Sequence, residues 1–466
     1  MLTPAAFPSL ALRANKETHF LRFDVLGMPD APLTIASITA GSAGMFCGSC
    51  MRDNTIARAM HRAGHDVHLI PTYTPIRTDE ENVSDQHLFY GGINVYLEQS
   101  IPGYRFLPGF VTRWLDRPSI INWATSRGIE TSAKNLGALT LSMLRGEHGN
   151  QRQEAVRLAA WLADSVKPQV INLSNMLIGG CISAIRQRTD APIVVTLQGD
   201  DIFLDDLPEP FKSKSIDEIR KLSEQVDAFV VFSRYYAEYM AQYFQTPLDK
   251  FRIVPLGIDV ADFPLETAQN RPYAADAPPT VGYLARLAPE KGLHLLVDAF
   301  LQLRQRPGMQ QAQLRIAGYL GAQHQQFAEE QFAKLDAAGL GDAYKYVGEV
   351  DRHGKIAFLH SIDVLSTPTI YREPKGLFVL EALASGVPVV QPEHGAFPEL
   401  LAATGGGHLV PPGDAAALAT KLAEVLADRE ASRRLGMEGC LAVHERYHAD
   451  AAAAATIDEY RLLLSR

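Results

Sequence analysis

Short apolar runs separated by longer amphipathic segments recur from Leu33 almost to the end of the chain, and this alternation is what most restricts the fold. Runs too short for a helix and rich in Val and Ile, each followed by a helical pattern, bury both faces as strands of a parallel sheet covered by helices. Strands are predicted at Leu33–Thr39, His65–Pro71, Val170–Leu173, Ile193–Leu197 and Ala228–Phe232, with a helix from about Met51 to Ala63 between the first two. A second series begins after Phe251–Pro255, with strands predicted at Thr280–Tyr283, Gln313–Ala317, Tyr344–Val347, Val364–Ser366 and Val387–Gln391. The stretch Val260–Pro279, rich in Pro, Ala and Asp, reads as the crossing between two domains. From Asp414 onward the chain is Ala-rich and helical. The expected class is α/β: two doubly wound, Rossmann-like domains facing a central cleft, with ligands at the carboxyl ends of the strands.

At 466 residues the chain is too long for one ordinary core. A formal charge of -9 argues against a general affinity for nucleic acid or anionic lipid. A phosphorylated ligand would then have to be held by a few placed cations and backbone amides. No apolar run is long enough to cross a membrane, and the first 30 residues lack a basic start followed by a long apolar stretch, so they do not read as a signal peptide. Four cysteines, Cys47, Cys50, Cys181 and Cys440, make no disulfide framework and fit a reducing compartment. A cytoplasmic protein, with membrane contact at most peripheral, is the expectation.

The segment Tyr371-Arg-Glu-Pro-Lys-Gly-Leu-Phe-Val-Leu-Glu381 carries the strongest chemical signal. A helix starting near Gly376 would aim unpaired backbone N–H groups and the positive end of its dipole at whatever lies before it. Gly376 would let a phosphate approach the backbone without a side chain in the way. Glu373, ahead of the helix, could reach a sugar beyond that phosphate, and Glu381, inside it, could accept hydrogen bonds from ribose hydroxyls. For a single Glu, a surface loop with a charge at a helix start accounts for the residue equally well.

A second segment, Val281-Gly-Tyr-Leu-Ala-Arg-Leu-Ala-Pro-Glu-Lys-Gly292, places Arg286 and Lys291 in a loop between a strand and a helix. Two cations there can neutralise a leaving diphosphate, whose charge develops as a glycosidic bond breaks. A metal ion is then unnecessary. The bland reading, a solvated Arg and Lys on a turn, fits either residue alone better than both beside the Glu pair.

Together these segments resemble the retaining, GT-B-fold glycosyltransferases of family 4, the group that includes glycogen synthases and sucrose-phosphate synthases. The marks of that family are an E-x7-E motif and an upstream G-R-x-x-x-x-K-G. Here they read Glu373 to Glu381 and Arg286 to Lys291, with Ala285 where the family often has Gly. Smaller matches follow in order: Pro255-Leu-Gly-Ile-Asp259, Ile316-Ala-Gly318, Val347-Gly-Glu349, Asp363 to Pro368 and Gly395-Ala-Phe-Pro-Glu399. The resemblance runs from Leu33 and is densest in the second half.

The resemblance implies an N-terminal extension over 1–31 and an acceptor domain over 32–255, braced by a C-terminal helix over 448–466. It implies a donor domain over 256–447. Arg286 and Lys291 would hold the diphosphate with the amides around Gly376 and Leu377, and Lys375 would belong to the same donor site. Glu373 would contact the transferred sugar and Glu381 the ribose, with Gly318 and Val347 near the base. Gly48 would let the first helix approach the diphosphate across the cleft. The partners implied are a UDP-, GDP- or ADP-linked sugar and a sugar, small-molecule or lipid-linked acceptor, with no cofactor or metal. One departure stands out: where the family often has His-Gly, this chain has Gln198-Gly199. The family's His orients the donor sugar, and Gln198 can hydrogen-bond but cannot serve as an acid or base.

Weaker signals have bland explanations. Cys47-Gly-Ser-Cys50 lacks the further ligands of a zinc site and reads as a tight strand-to-helix turn. Asp200-Asp201-Ile-Phe-Leu-Asp205-Asp206 reads as helix capping and a solvated loop rather than a metal cluster, and His61, His65 and His68 do not converge at either spacing. Tyr90-Gly-Gly-Ile-Asn-Val-Tyr96 fits an acceptor-site lining and a packed hairpin equally. The expected activity is metal-independent, retaining hexosyl transfer. Its rivals are a phosphorylase or epimerase on the same fold and a catalytically silent sugar-binding protein.

Overall fold

The computed structural model describes residues 31–41, 48–85, 89–90, 133–271 and 277–466. The first six strands are β1 (Thr34–Thr39), β2 (Asp66–Pro71), β3 (Val170–Leu173), β4 (Ile193–Thr196), β5 (Ala228–Val231) and β6 (Phe251–Ile253). They form one parallel sheet in the order β2-β1-β3-β4-β5-β6. The next six are β7 (Thr280–Leu284), β8 (Gln313–Ala317), β9 (Tyr344–Tyr346), β10 (Val364–Leu365), β11 (Val389–Pro392) and β12 (Gly407–Val410). Their parallel order is β12-β11-β10-β7-β8-β9. Four helices matter for the site: α1 (Gly48–Arg62), α2 (Arg352–His360), α3 (Leu377–Ala384) and α4 (Ala449–Leu464).

Both sheets are buried on both faces, as their Val- and Ile-rich strands require. On the first sheet Ile171, Leu173, Val195 and Phe229 face one core, while Val170, Val194 and Val230 face another, as the period of two dictates. The second core also contains Ile56, Ala57 and Met60 of α1 and Ala452, Ala453, Ile457 and Tyr460 of α4. The last helix of the chain therefore packs on the first helix. Small residues make the close approach possible: a Cβ on Gly257 would stand 2.6 Å from that of Ala452. Beside that contact Ile258 N donates to Tyr447 O at 3.0 Å and Ala449 N to Ile258 O at 2.8 Å, so the two segments that pass between the halves run side by side.

Strand order fixes where a site can be. In the second sheet the order reverses between β7 and β10, and the loops leaving their carboxyl ends carry Arg286–Lys291 and Tyr371–Gly376. A crevice at such a switch point is where open α/β sheets bind ligands. Two edge strands go unannounced in the sequence, the three-residue β6 and, more plainly, β12. Gly405, Gly406, Gly407 and His408 interrupt its apolar pattern, and it is an edge strand with a half-buried start.

Candidate active site

The loops after β7 and β10 are pressed together at a glycine. Gly292 adopts φ +75°, and a Cβ there would lie 1.8 Å from Pro368 O, so only glycine fits. Ile370 N donates to Glu290 O at 3.0 Å and locks the same approach. Lys291 is thereby held against the second loop. Its ammonium lies 3.0 Å from Glu373 Oε2, contacts the Tyr371 hydroxyl and sits 4.7 Å from the centre of the Tyr371 ring.

Glu373 is buried, and both of its oxygens are engaged. Oε2 accepts from Lys291 and Tyr371, while Oε1 accepts from the backbone N–H groups of Lys375 and Gly376, each at 3.3 Å. Burial by itself would raise its pKa. The Lys291 charge, the hydrogen bonds from Tyr371 and Lys291 and the nearby Lys375 outweigh burial and bring it down to about 2. Glu373 is thus a fixed anion that orders the cation and the loop around it.

Gly376 caps α3 with φ +85°, and helix geometry leaves the first N–H groups of α3 pointing out of its start. Opposite lies the start of α1. A Cβ on Gly48 would stand 3.6 Å from Leu377 Cδ1, an ordinary contact, so the protein itself does not require glycine at that position. The two helix starts therefore face each other, with the Leu377 side chain toward Gly48.

A chain of polar contacts crosses the same gap. Lys375 Nζ donates to Ser49 Oγ at 2.9 Å and to Gln198 Oε1 at 3.3 Å. Gln198 Nε2 in turn donates to Asp53 Oδ1 at 3.0 Å and Ser174 O at 3.3 Å, and Thr39 Oγ1 donates to Asp53 Oδ2 at 3.0 Å. Gln198 thus presents its acceptor oxygen to the second half. Burial raises the Asp53 pKa, opposed by Arg52, Thr39, Lys375 and Gln198. Next to Gln198, Asp200 accepts from Met176 N at 2.6 Å and Gln198 N at 3.3 Å, and burial pushes its carboxyl up to about 7.

Arg286 is not joined to the Lys291–Glu373 cluster by a hydrogen bond. Its guanidinium is 3.2 Å from Glu290 in a half-exposed i,i+4 pair, while its carbonyl accepts from the Tyr283 hydroxyl at 3.0 Å. Glu381 lies on α3, where Lys355 of α2 donates to its Oε1 at 2.8 Å. Gly318 and Val347 follow β8 and β9. Gly318 N donates to Gly348 O at 2.9 Å, and a Cβ on Gly318 would meet Ala285 O at 1.8 Å, so Gly318 lies beside the β7 loop and Val347 one strand further out.

Two family models cover much of the chain. Residues 137–262 match the model described as "Glycosyltransferase Family 4", and residues 266–439 match "Glycosyl transferases group 1". The chain belongs to the family 4 glycosyltransferases. It is 32% identical over 206 residues to a phosphatidyl-myo-inositol mannosyltransferase of Mycobacterium leprae, covering 42% of this chain and 51% of that protein. To a glycogen synthase of Mycobacterium tuberculosis it is 29% identical over 273 residues, covering 58% of this chain and 63% of that protein. The chain thus spans about half to two thirds of the curated relatives it matches. The fold is that of sucrose-phosphate synthase from Thermosynechococcus elongatus, with a TM-score of 0.66 and 22% identity over 92% of this chain and 99% of that one. The GT-B fold expected from the motifs is therefore the fold observed.

Within this family 4 glycosyltransferase, sequence reading overlooked Asp53, Ser49, Tyr371 and Lys355. Each is an ordinary polar residue in its own segment, and only contacts between elements distant in sequence give it a partner in the site. The polar run Arg52, Asp53 and Asn54 near the start of α1 is a signal that could have found Asp53, but that these residues are buried is shown by the structure alone. Of the weaker candidates, Cys50 is buried near the start of α1, whereas Cys47 and residues 91–96 lie outside the described residues. Asp200 and Asp201 are buried in the first turn of a helix, Asp201 accepting from the Tyr236 hydroxyl at 2.6 Å, so neither is solvated. Among the described residues no helix is long and apolar enough to cross a membrane.

Proposed function

We propose that the chain transfers a hexosyl group from a UDP-, GDP- or ADP-linked sugar to an acceptor hydroxyl, with retention of configuration and without a metal ion. The observation that carries this reading is Lys291, fixed by Glu373 and Tyr371 beside the outward-pointing amides of α3, with the bare start of α1 opposite. A diphosphate seated there meets an ammonium and a helix start, with no Cβ at Gly48 to obstruct it.

In the proposed step the bond from the anomeric carbon to the β-phosphate oxygen breaks while the acceptor oxygen bonds to the same face of that carbon. The acceptor proton passes to the departing phosphate oxygen, and a nucleoside diphosphate leaves. Lys291 and the α3 amides stabilise the charge that gathers on that oxygen. Arg286 joins them: exposed i,i+4 pairs such as Arg286–Glu290 are worth only about 0.5 kcal/mol, so a diphosphate can draw the guanidinium away. Glu373, Lys375 and Gln198 would line the transferred sugar, and Glu381 would accept from the ribose, with Gly318 and Val347 against the base. The names of the relatives, a mannosyltransferase acting on phosphatidyl-myo-inositol and a glycogen synthase, support either a lipid-linked or a sugar acceptor. A cytoplasmic location is part of the same proposal.

The test is purified protein with a panel of nucleotide sugars, scored for nucleoside diphosphate release and for thermal stabilisation, with and without chelator. Release with one donor in the presence of chelator supports the reading. Sugar 1-phosphate formed only with added inorganic phosphate would indicate a phosphorylase. Absence of binding across the panel would favour a catalytically silent protein, the rival that the lack of an acid–base group at Gln198 supports.

A further inference from the structure

Glu381 ends an ion chain that joins the two halves through Lys355. Its Oε1 accepts from Lys355 Nζ at 2.8 Å, and its Oε2 has no hydrogen-bond partner among the described residues. The same ammonium donates to Asp79 Oδ2 at 2.9 Å, and Asp79 belongs to the first half of the chain. Asp79 and Lys355 are buried, with side chains 3% and 9% exposed, and Asp79 Oδ1 is buried without a partner. One turn before Lys355 on α2, Arg352 faces Glu80 at 3.5 Å, binds Asp262 at 3.0 Å and donates to Asp259 O at 2.9 Å. An acidic pair, Asp79-Glu80, is thus seated on a cationic pair spaced three residues apart on one helix face.

We infer that Lys355 is a positioning residue for Glu381, and that Asp79 completes the nucleotide site from the opposite half, so that ribose recognition requires both. This rests on the proposed role of Glu381 toward the ribose. A buried carboxylate with long side-chain freedom would otherwise present either oxygen. Lys355 fixes Oε1 and leaves Oε2 as the acceptor for a ribose hydroxyl. Asp79 fixes Lys355 in turn, because an ammonium with two carboxylates on it has one orientation that satisfies both. Asp79 shares the Lys355 nitrogen with Glu381 through its Oδ2, and its unpartnered Oδ1 supplies a second acceptor.

The experiment is calorimetric titration of the full chain with UDP, GDP and ADP and with the 2′- and 3′-deoxy form of whichever binds. It compares wild type, Lys355→Gln, Lys355→Arg and Asp79→Asn, with circular dichroism of each. Wild type should prefer the ribose form about tenfold, an effect of the size expected for a buried hydroxyl left without its partner. Lys355→Gln should weaken binding about tenfold and bring the ribose-to-deoxy ratio to about one, and Lys355→Arg should restore part of that ratio. Asp79→Asn should lower the ratio at least threefold, and in turnover it should raise the donor KM with kcat little changed. A ratio unchanged in folded Lys355→Gln, or one no higher in Lys355→Arg than in Lys355→Gln, overturns the positioning role, and one unchanged in Asp79→Asn overturns the contribution of the opposite half. Wild type that binds none of the three diphosphates removes the proposed function and this inference with it. Wild type that binds while all variants match it removes this inference alone.

Discussion

The Lys375 ammonium, from the loop before α3, donates at 2.9 Å to Ser49 Oγ in the first turn of α1. The two helix starts that face each other across the cleft are therefore tied by a side chain as well as by the contact between Gly48 and Leu377. The same ammonium reaches Gln198, so a substrate entering between the helix starts meets an existing polar bridge. Its hydrogen bonds have to be exchanged for new ones, which makes the bridge a point where binding and closure compete.

Lys291→Ala should cut transfer steeply, and it should also lower stability because buried Glu373 loses its main counter-charge. Loss of a fixed cation at the departing oxygen costs about 3–4 kcal/mol of barrier, or roughly 10²–10³ in kcat. Steady-state release of nucleoside diphosphate measures it, and turnover within tenfold of wild type would contradict the proposed role.

Glu373 ties stability to acid. Its folded pKa of about 2 lies below its unfolded value, so its contribution is present above pH 4.5 and is lost as pH falls toward 2. The full difference corresponds to about 3 kcal/mol. Urea unfolding at pH 6 and pH 3 should show a steep loss in wild type and a shallower one in Glu373→Gln, which is already weakened at pH 6.

Gly48 and Gly376 should respond in opposite ways to alanine. Gly376 holds φ +85° and its added Cβ would stand 3.3 Å from Leu400 Cδ2, so Gly376→Ala should cost about 1–2 kcal/mol of stability. Gly48 has room for a Cβ, so Gly48→Ala should unfold within about 0.5 kcal/mol of wild type yet bind nucleotide sugar at least tenfold more weakly. Denaturant melts and donor titrations separate the two, and an unaltered donor affinity in Gly48→Ala would remove that glycine from the site.

Gln198→Ala should strand the Lys375 and Asp53 groups that the amide joins. The loss of a buried bridge of this kind costs about 1–3 kcal/mol. Melting temperature and turnover should both fall, and unchanged values for both would mean that the amide bridge is ornamental.

Most of the scaffold was readable in the sequence because strands buried on both faces have to be written as Val- and Ile-rich runs. Gly407–Val410 escaped because an edge strand needs no such run. The E-x7-E and R-x4-K segments were legible for a different reason: each lies in one continuous loop and helix start. What could not be read were relationships between loops. Nothing in Tyr371 or Lys291 alone announces that they share Glu373, and Lys355 meets Asp79 only because two sheets far apart in sequence face each other. Arg286 lies in the loop after β7 as expected, but its pairing with Glu290 comes from the turn of that loop, which the segment alone does not reveal.

The paired segments at Gly257–Ile258 and Tyr447–Ala449 have a mechanical consequence. A single connecting strand would act as a swivel, leaving one half able to twist about the other. Two segments bridged by a pair of backbone hydrogen bonds behave like a leaf hinge, which bends easily in one direction and resists torsion. Any gape of the cleft is thereby confined to one arc, so the start of α1 returns to the same place over α3 at each closure.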